Sequence, residues 1–231
     1  MLSLLLALSL AQPPDAALAA VERADHAFEA NDLPAALRGY EAALSLDATF
    51  AYARYKLGWC HYNLGDFDRA LADFAVVARG EDTVAREARK DWTRTWATAH
   101  GASGFEARAR EVWRDDWVKG LRQVASTWED QGKYEDAATA WRRLLVVGDP
   151  VEAQLGLARA ASMLLRGDEV VKALRELGAR LAAADAATAE QWRPEAKALL
   201  DQLTRAAALE ARRTRSPDAR RRAEALSALS F

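Results

Sequence analysis

Cysteine is all but absent: Cys60 is the only one in 231 residues. A single thiol excludes an internal disulfide framework and a cysteine-rich metal site. Histidine is scarce too, and its three scattered copies leave little material for a zinc centre or an acid–base pair. Glycine and proline number 12 and 6, below usual usage, which argues against a turn-rich all-β chain. Neither sign of charge dominates. The 32 basic and 34 acidic side chains leave a net charge of −2, so nucleic acid and anionic membrane are not expected partners. Dinucleotide, phosphate-loop, zinc-protease and serine-hydrolase motifs are all missing. This inventory supplies no catalytic constellation, so neither an enzyme nor a cofactor nor a metal site is expected. What is present is a chain 51% hydrophobic and 29% charged, the balance of a folded soluble protein. Its length suffices for one large domain or two small ones.

The stretch Leu2–Leu10 is uncharged and almost wholly apolar. Nine residues cannot cross a bilayer, which takes about 20 in a helix, so no transmembrane span is expected. The stretch fits the apolar core of a secretory signal instead. Ser9-Leu10-Ala11 places small residues where a signal peptidase reads them, and Gln12-Pro13-Pro14 follows. The departure is the lack of a lysine or arginine beside Met1. Residues 1–11 read as a signal peptide, which implies a periplasmic or envelope-associated protein; without export the chain is cytoplasmic. Cys60 lies too far along for lipid attachment.

A fixed period organises the rest. Asn31-Asp32-Leu33-Pro34-Ala35-Ala36-Leu37-Arg38-Gly39-Tyr40 aligns with Gly65-Asp66-Phe67-Asp68-Arg69-Ala70-Leu71-Ala72-Asp73-Phe74 at an offset of 34. Gly132-Lys133-Tyr134-Glu135-Asp136-Ala137-Ala138-Thr139-Ala140-Trp141 follows 67 residues beyond the second. In each copy a turn residue precedes a large apolar side chain (Leu33, Phe67, Tyr134), a small one (Ala36, Ala70, Ala137) and an aromatic (Tyr40, Phe74, Trp141). Another small residue stands seven positions before the turn: Ala24, Gly58 and Ala125. Small positions let two helices of a hairpin approach closely, and the rings fill the space between one hairpin and the next. The periodicity predicts helices over 15–30, 34–46, 49–63, 67–79, 83–99, 105–116, 118–130, 134–147, 151–166, 169–183, 187–211 and 218–229. Asp47, Asp82 and Asp149 are expected helix starts, and Gly65, Gly132 and Gly167 expected helix ends.

These residues resemble the tetratricopeptide repeat, with Leu57-Gly58, Gly65-Asp66-Phe67, Ala70 and Phe74 as the best copy. The resemblance implies an all-α solenoid of stacked antiparallel hairpins over 12–184. Clear copies fall near 17–50, 51–84 and 118–151, and degenerate ones near 85–117 and 152–184. Residues 185–231 then form Arg-rich capping helices. The run Tyr55-Lys56-Leu57-Gly58-Trp59-Cys60-His61-Tyr62-Asn63-Leu64-Gly65, followed by Glu87-Ala88-Arg89-Lys90-Asp91-Trp92, is similar to bacterial envelope members of that family, gliding-motility proteins among them.

Tyr52, Tyr55, Trp59 and Tyr62 recur at spacings of 3, 4 and 3, so they share one helical face. Leu57, Cys60 and Leu64 lie on another face and suffice for the core. The family's geometry implies that the rings point into the concave groove, with Asn63 beside them. An aromatic stripe is as readily core as contact surface, and both readings stand here. Lys119 and Arg122 occupy groove-facing positions of a later helix, where they would hold a carboxylate or form a solvated helix face. His26 and His61 read as packed side chains near the core. Arg205, Arg212, Arg213, Arg215, Arg220, Arg221 and Arg222 form a local basic run, read as a polar cap that shields the end of the repeat array. The expected function is a non-catalytic scaffold that binds a protein or peptide partner through Tyr52, Tyr55, Trp59, Tyr62 and Asn63, with Lys119 and Arg122 in support. The alternative is a structural subunit of an oligomer or envelope complex with no exchangeable ligand.

Overall fold

The computed structural model describes residues 13–231, so the signal-peptide reading of residues 1–11 lies outside the described residues. Every regular element among the described residues is helical. In chain order they are α1 (Asp15–Glu29), α2 (Leu33–Leu46), α3 (Ala51–Asn63), α4 (Phe67–Val77), α5 (Thr83–Ala99), α6 (Phe105–Trp113), a 3-10 turn at Arg114–Asp116, and α7 (Trp117–Asp130). There follow α8 (Tyr134–Val147), α9 (Pro150–Met163), α10 (Gly167–Ala183), α11 (Ala186–Thr214) and α12 (Pro217–Ser227). The chain divides into two compact units, one ending at Trp96 and the other running from Ala97 to Phe231.

Four hairpins repeat one turn, and they carry the periodicity into three dimensions. After α1, Asp32 N–H donates to the Ala27 carbonyl at 2.8 Å; after α3, Asp66 N–H donates to His61 at 2.9 Å. After α7, Lys133 N–H donates to Trp128 at 2.8 Å, and after α9, Arg166 N–H donates to Ala161 at 3.2 Å. Each bond spans five residues, and in each case the residue before the donor is left-handed: Asn31 (φ 60°), Gly65 (φ 78°), Gly132 (φ 73°) and Leu165 (φ 55°). This is the hydrogen-bonded helix stop that a left-handed residue permits. Glycine and asparagine adopt that backbone readily, which explains three of the four.

The fourth corrects the expected helix end at Gly167. The turn falls two residues earlier, at Leu165, and Gly167 opens α10. A leucine in the left-handed region is strained by about 1 kcal/mol, and this one is also 90% exposed. Leu165→Asn is therefore expected to stabilise the protein by about 0.5–1 kcal/mol, a rise of about 1–3 °C in melting temperature by calorimetry. Asp47 also departs from expectation. Its carboxylate accepts from Thr49 N–H at 2.9 Å, closing a local turn, and Phe50 stands at the start of α3. Asp82 and Asp149 do cap: they accept from Ala85 N–H at 2.7 Å and from Val151 N–H at 2.8 Å.

Within the first unit, α1–α2 and α3–α4 are antiparallel hairpins, with α2 packed on α3. Ala20, Val21, Ala24, Ala36, Tyr40, Ala43, Ala53, Leu57 and Cys60 form one buried cluster. The predicted small positions bring the helices close. A Cβ added to Gly58 would lie 2.8 Å from the Phe74 ring, and one added to Gly39 would lie 2.6 Å from Ala24 Cβ. Leu64, expected in the core, is 49% exposed, because it sits at the helix stop beyond the last turn of α3. His26 is exposed while His61 is 7% accessible. They are 35 residues apart, one more than the period, so His61's true counterpart is Ala27 and the two imidazoles point about 100° apart.

In the second unit, α7–α8 and α9–α10 repeat the hairpin and α8 packs on α9. Trp141, at the repeat's aromatic position, is 1% exposed, and a Cβ on Gly156 would come within 2.4 Å of its ring. The irregular stretch before them has identifiable causes. Asp136 accepts from Ala102 N–H at 2.8 Å, which pins the Gly101–Gly104 loop. Arg114 takes φ 51° where α6 breaks into the 3-10 turn. There Glu106 accepts from Arg143 Nε at 2.7 Å and from Arg110 Nη2 at 2.8 Å, and Arg110 stacks 3.7 Å over the Trp117 ring. These arginines, Arg143 first, pull the Glu106 carboxyl down to about 2.

The C-terminal helices cover the last hairpin. Ala196, Leu200 and Ala207 of α11 and Leu226 of α12 join Leu174, Leu177 and Leu181 of α10 in one core. Asp185 caps α11 through Thr188 N–H at 2.9 Å. Trp192 Nε1 donates to Asp149 at 3.0 Å, tying α11 to the start of α9.

Candidate partner-binding surface

All four rings of the stripe lie on α3, each partly buried, and Asn63 beside them is exposed. The core beneath is closed by other residues of the same helix: Leu57, Gly58 and Cys60 are buried. Trp59 meets the buried Phe74 ring edge-on, 5.7 Å between centroids, and Tyr62 likewise at 5.3 Å. Tyr62 continues to Phe67, 5.4 Å away, and Tyr55 rests on Phe74 at 5.7 Å. The stripe is thus neither core nor free surface. Tyr55, Trp59 and Tyr62 pack on rings of α4, Tyr52 packs on the buried cluster of α1–α3, and all four stay partly exposed.

Two of its hydroxyls are already engaged. Tyr52 Oη donates to Asp25 Oδ2 at 3.1 Å, and the same carboxylate accepts from the buried Tyr40 hydroxyl and pairs with Lys56 Nζ at 3.4 Å. Tyr55 Oη donates to Asp91 Oδ2 at 2.6 Å. Burial, reinforced by that bond, pushes the Tyr55 phenol up to about 12, so it remains a donor at any physiological pH. Burial also raises the Asp91 carboxyl. Asp25 and Asp91 therefore anchor the two rings at the N-terminal end of the stripe, Tyr52 and Tyr55. Sequence reading missed both. Nothing in the sequence separates them from other acidic residues of the same helices, such as Glu22 and Glu29 on α1 and Glu87 on α5.

Lys119 and Arg122 lie in the second unit, both on α7. Neither waits for a ligand: Lys119 Nζ pairs with Asp116 at 2.7 Å and Arg122 Nε with Glu152 at 2.7 Å. Repeat register explains the contrast with the first unit. An offset of 67 residues aligns Tyr52 with Lys119, Tyr55 with Arg122, Trp59 with Ser126 and Tyr62 with Glu129. The equivalent wall, built from first-of-pair helices, is aromatic in the first unit and charged in the second. In the charged unit Arg159 of α9 bridges Glu129 of α7 at 3.1 Å and Glu195 of α11 at 2.7 Å. Glu129 also accepts from Trp141 Nε1 at 2.9 Å. Charge on that wall is spent on joining helices.

Two groups with catalytic overtones lie in the interior. His61 Nδ1 and Asp73 Oδ2 lie 2.8 Å apart in the interior, and Arg54 donates to the other oxygen of Asp73 at 3.3 Å. Cys60 is buried, and burial pushes its thiol up to about 11, which keeps it protonated and a poor nucleophile. Among the described residues no group of three or more His, Cys, Asp or Glu could hold a metal. No described helix is long and apolar enough to cross a membrane.

The repeated five-residue-spanning turn, the small positions under rings and the hairpin-on-hairpin packing define the class: an all-α, tetratricopeptide-type fold of the α-solenoid kind. Neither a protein-family model nor a curated protein matches the sequence. Solved structures do match. A protein described as MamA is 16% identical, with a TM-score of 0.45 over 72% of this chain and 92% of that one. YrrB, described as a tetratricopeptide protein with an unusual peptide-binding site, is 17% identical, with a TM-score of 0.42 over 71% and 86%. A tetratricopeptide protein from Parabacteroides merdae is 13% identical, with a TM-score of 0.45 over 94% of each chain. Likenesses this remote carry nothing about what this chain binds.

Proposed function

We propose that this protein is a non-catalytic interaction module that holds a peptide or protein partner against the aromatic face of α3. One observation carries the reading: Tyr52, Tyr55, Trp59 and Tyr62 keep solvent-facing edges although α3 has a separate buried face that closes the core. Rings held on one side by Phe74, Asp25 and Asp91 are pre-oriented, so little side-chain entropy remains to be lost on binding. Trp59 and Tyr62, with Asn63 alongside, form the free end of the stripe and supply the anchors, since tryptophan and tyrosine dominate interface energetics. Lys119 and Arg122 act on a partner only by leaving Asp116 and Glu152.

The test is a selection from a displayed peptide library on wild type and on the Trp59→Ala/Tyr62→Ala variant. Peptides enriched on the wild type should bind the variant at least 30-fold more weakly, about 2 kcal/mol. The variant's own stability should fall by about 1–2 kcal/mol, as expected for partly buried rings. Equal retention of the selected peptides would sink the reading. We place the module in the cell envelope on the strength of the Leu2–Leu10 stretch in the sequence. N-terminal sequencing of the protein recovered from its native cells tests that placement: a start at Met1 or Leu2 would contradict it.

A further inference from the structure

The basic run at the C-terminus is only partly accounted for by the fold. Arg222 pairs with Glu210 at 2.8 Å and Arg221 with Asp218. Arg212, Arg215 and Arg220 are exposed and converge on a recess of about 410 Å³ at the elbow between α11 and α12. Its floor is Ala208, Ala211 and Ala223, and Glu224 stands at one side. Arg212 has a local reason to be there, because a cation in the last turn of α11 complements that end of the helix dipole. Arg220 has the opposite. It is the fourth residue of α12, close to the positive end of the dipole, where a cation is unfavourable. Arg215 completes the set from a left-handed backbone at φ 54°, a conformation that costs a non-glycine residue about 1 kcal/mol. The charge of Arg220 and the backbone of Arg215 are thus held where local energetics disfavour them, beside one small opening.

We propose that this elbow is a docking site for an acidic peptide segment of a protein partner. Guanidiniums present paired donors that match carboxylates, and the alanine floor leaves room for the aliphatic stems of glutamate side chains. The recess has no aromatic ring on which a base could stack and no large apolar side chain that would enter a bilayer. Glu224 further disfavours a dense polyanion. The site is independent of the aromatic face of α3, which lies in the other unit, so either can fail alone.

Fluorescence anisotropy with a labelled octapeptide of alternating glutamate and alanine tests it on the full chain. Wild type should bind, and affinity should fall as salt rises. Arg212→Ala/Arg215→Ala/Arg220→Ala should bind at least tenfold more weakly, and Glu224→Gln a few-fold more tightly. All three arginines are exposed, so the triple variant should keep its circular dichroism and melting temperature. If it does not fold, Arg220→Gln alone should still lose affinity about threefold or more. Absence of binding by the wild type, or equal binding by the folded arginine variants, overturns the proposal. So does preference for phosphatidylglycerol vesicles or duplex DNA over the peptide, which would make the elbow a lipid or nucleic-acid site.

Discussion

Trp141→Ala is expected to lower the unfolding free energy by about 3–5 kcal/mol, the range for emptying a buried indole site. Trp141 is 1% exposed and lies against Gly156 of the next hairpin, with its Nε1 donating to Glu129 at 2.9 Å. Removing it opens a cavity between hairpins. It also strips a donor from a carboxyl whose pKa burial already raises. Gly156→Ala should cost about 1–3 kcal/mol by the opposite route, because the added Cβ would stand 2.4 Å from the indole. The two changes should not add. Alanine at 156 fills part of the space left by Trp141→Ala, so the double variant should be more stable than the sum of the single losses implies. Urea unfolding of the four proteins measures the coupling. Strict additivity would mean that the ring and the glycine do not share one joint.

Asp25→Ala should cost about 2–3 kcal/mol, more than its partial exposure would suggest. One carboxylate of α1 ties down two further helices through three groups: the Tyr40 hydroxyl of α2, the Tyr52 hydroxyl of α3 at 3.1 Å and Lys56 of α3 at 3.4 Å. Tyr40 is 0% exposed, so without Asp25 its hydroxyl is left buried and unpaired, the expensive case. Tyr40→Phe removes the donor with the acceptor still reachable by Tyr52 and Lys56, and should cost only about 1 kcal/mol. In a Tyr40→Phe background the Asp25→Ala loss should shrink by about half. An unchanged loss would show that Asp25 acts through Lys56 or Tyr52.

How far the sequence reaches depends on what each position does. The three clear copies are legible because their buried positions are chemically distinctive: Ala36, Ala70 and Ala137 beneath helix crossings, and Tyr40, Phe74 and Trp141 between layers. The copy that turns at Leu165 is harder to see. Val170 and Leu174 replace the alanine and the aromatic with aliphatics that any helix could carry, and Gly167 imitates a turn glycine two residues late. The stripe on α3 is legible from spacing alone, but its burial is not, because that depends on Phe67 and Phe74 approaching from α4. Asp25 and Asp91 are harder still. They act on rings 27 and 36 residues away, and only the stacking of hairpins brings them there. The same stacking brings Arg122 to Glu152 on another helix, which spacing along one helix cannot reveal, whereas Lys119 meets Asp116 only three residues before it.

The central claim is that a partner sits on the aromatic face of α3, and the indole proton resonances test it most directly. The chain has eight tryptophans, of which Trp59 is the one on that face, while Trp128 and Trp141 are at most 1% exposed. On addition of a selected peptide the Trp59 signal should shift first and furthest, with Trp128 and Trp141 unmoved. A saturating peptide that leaves Trp59 in place while other indoles move would contradict the account.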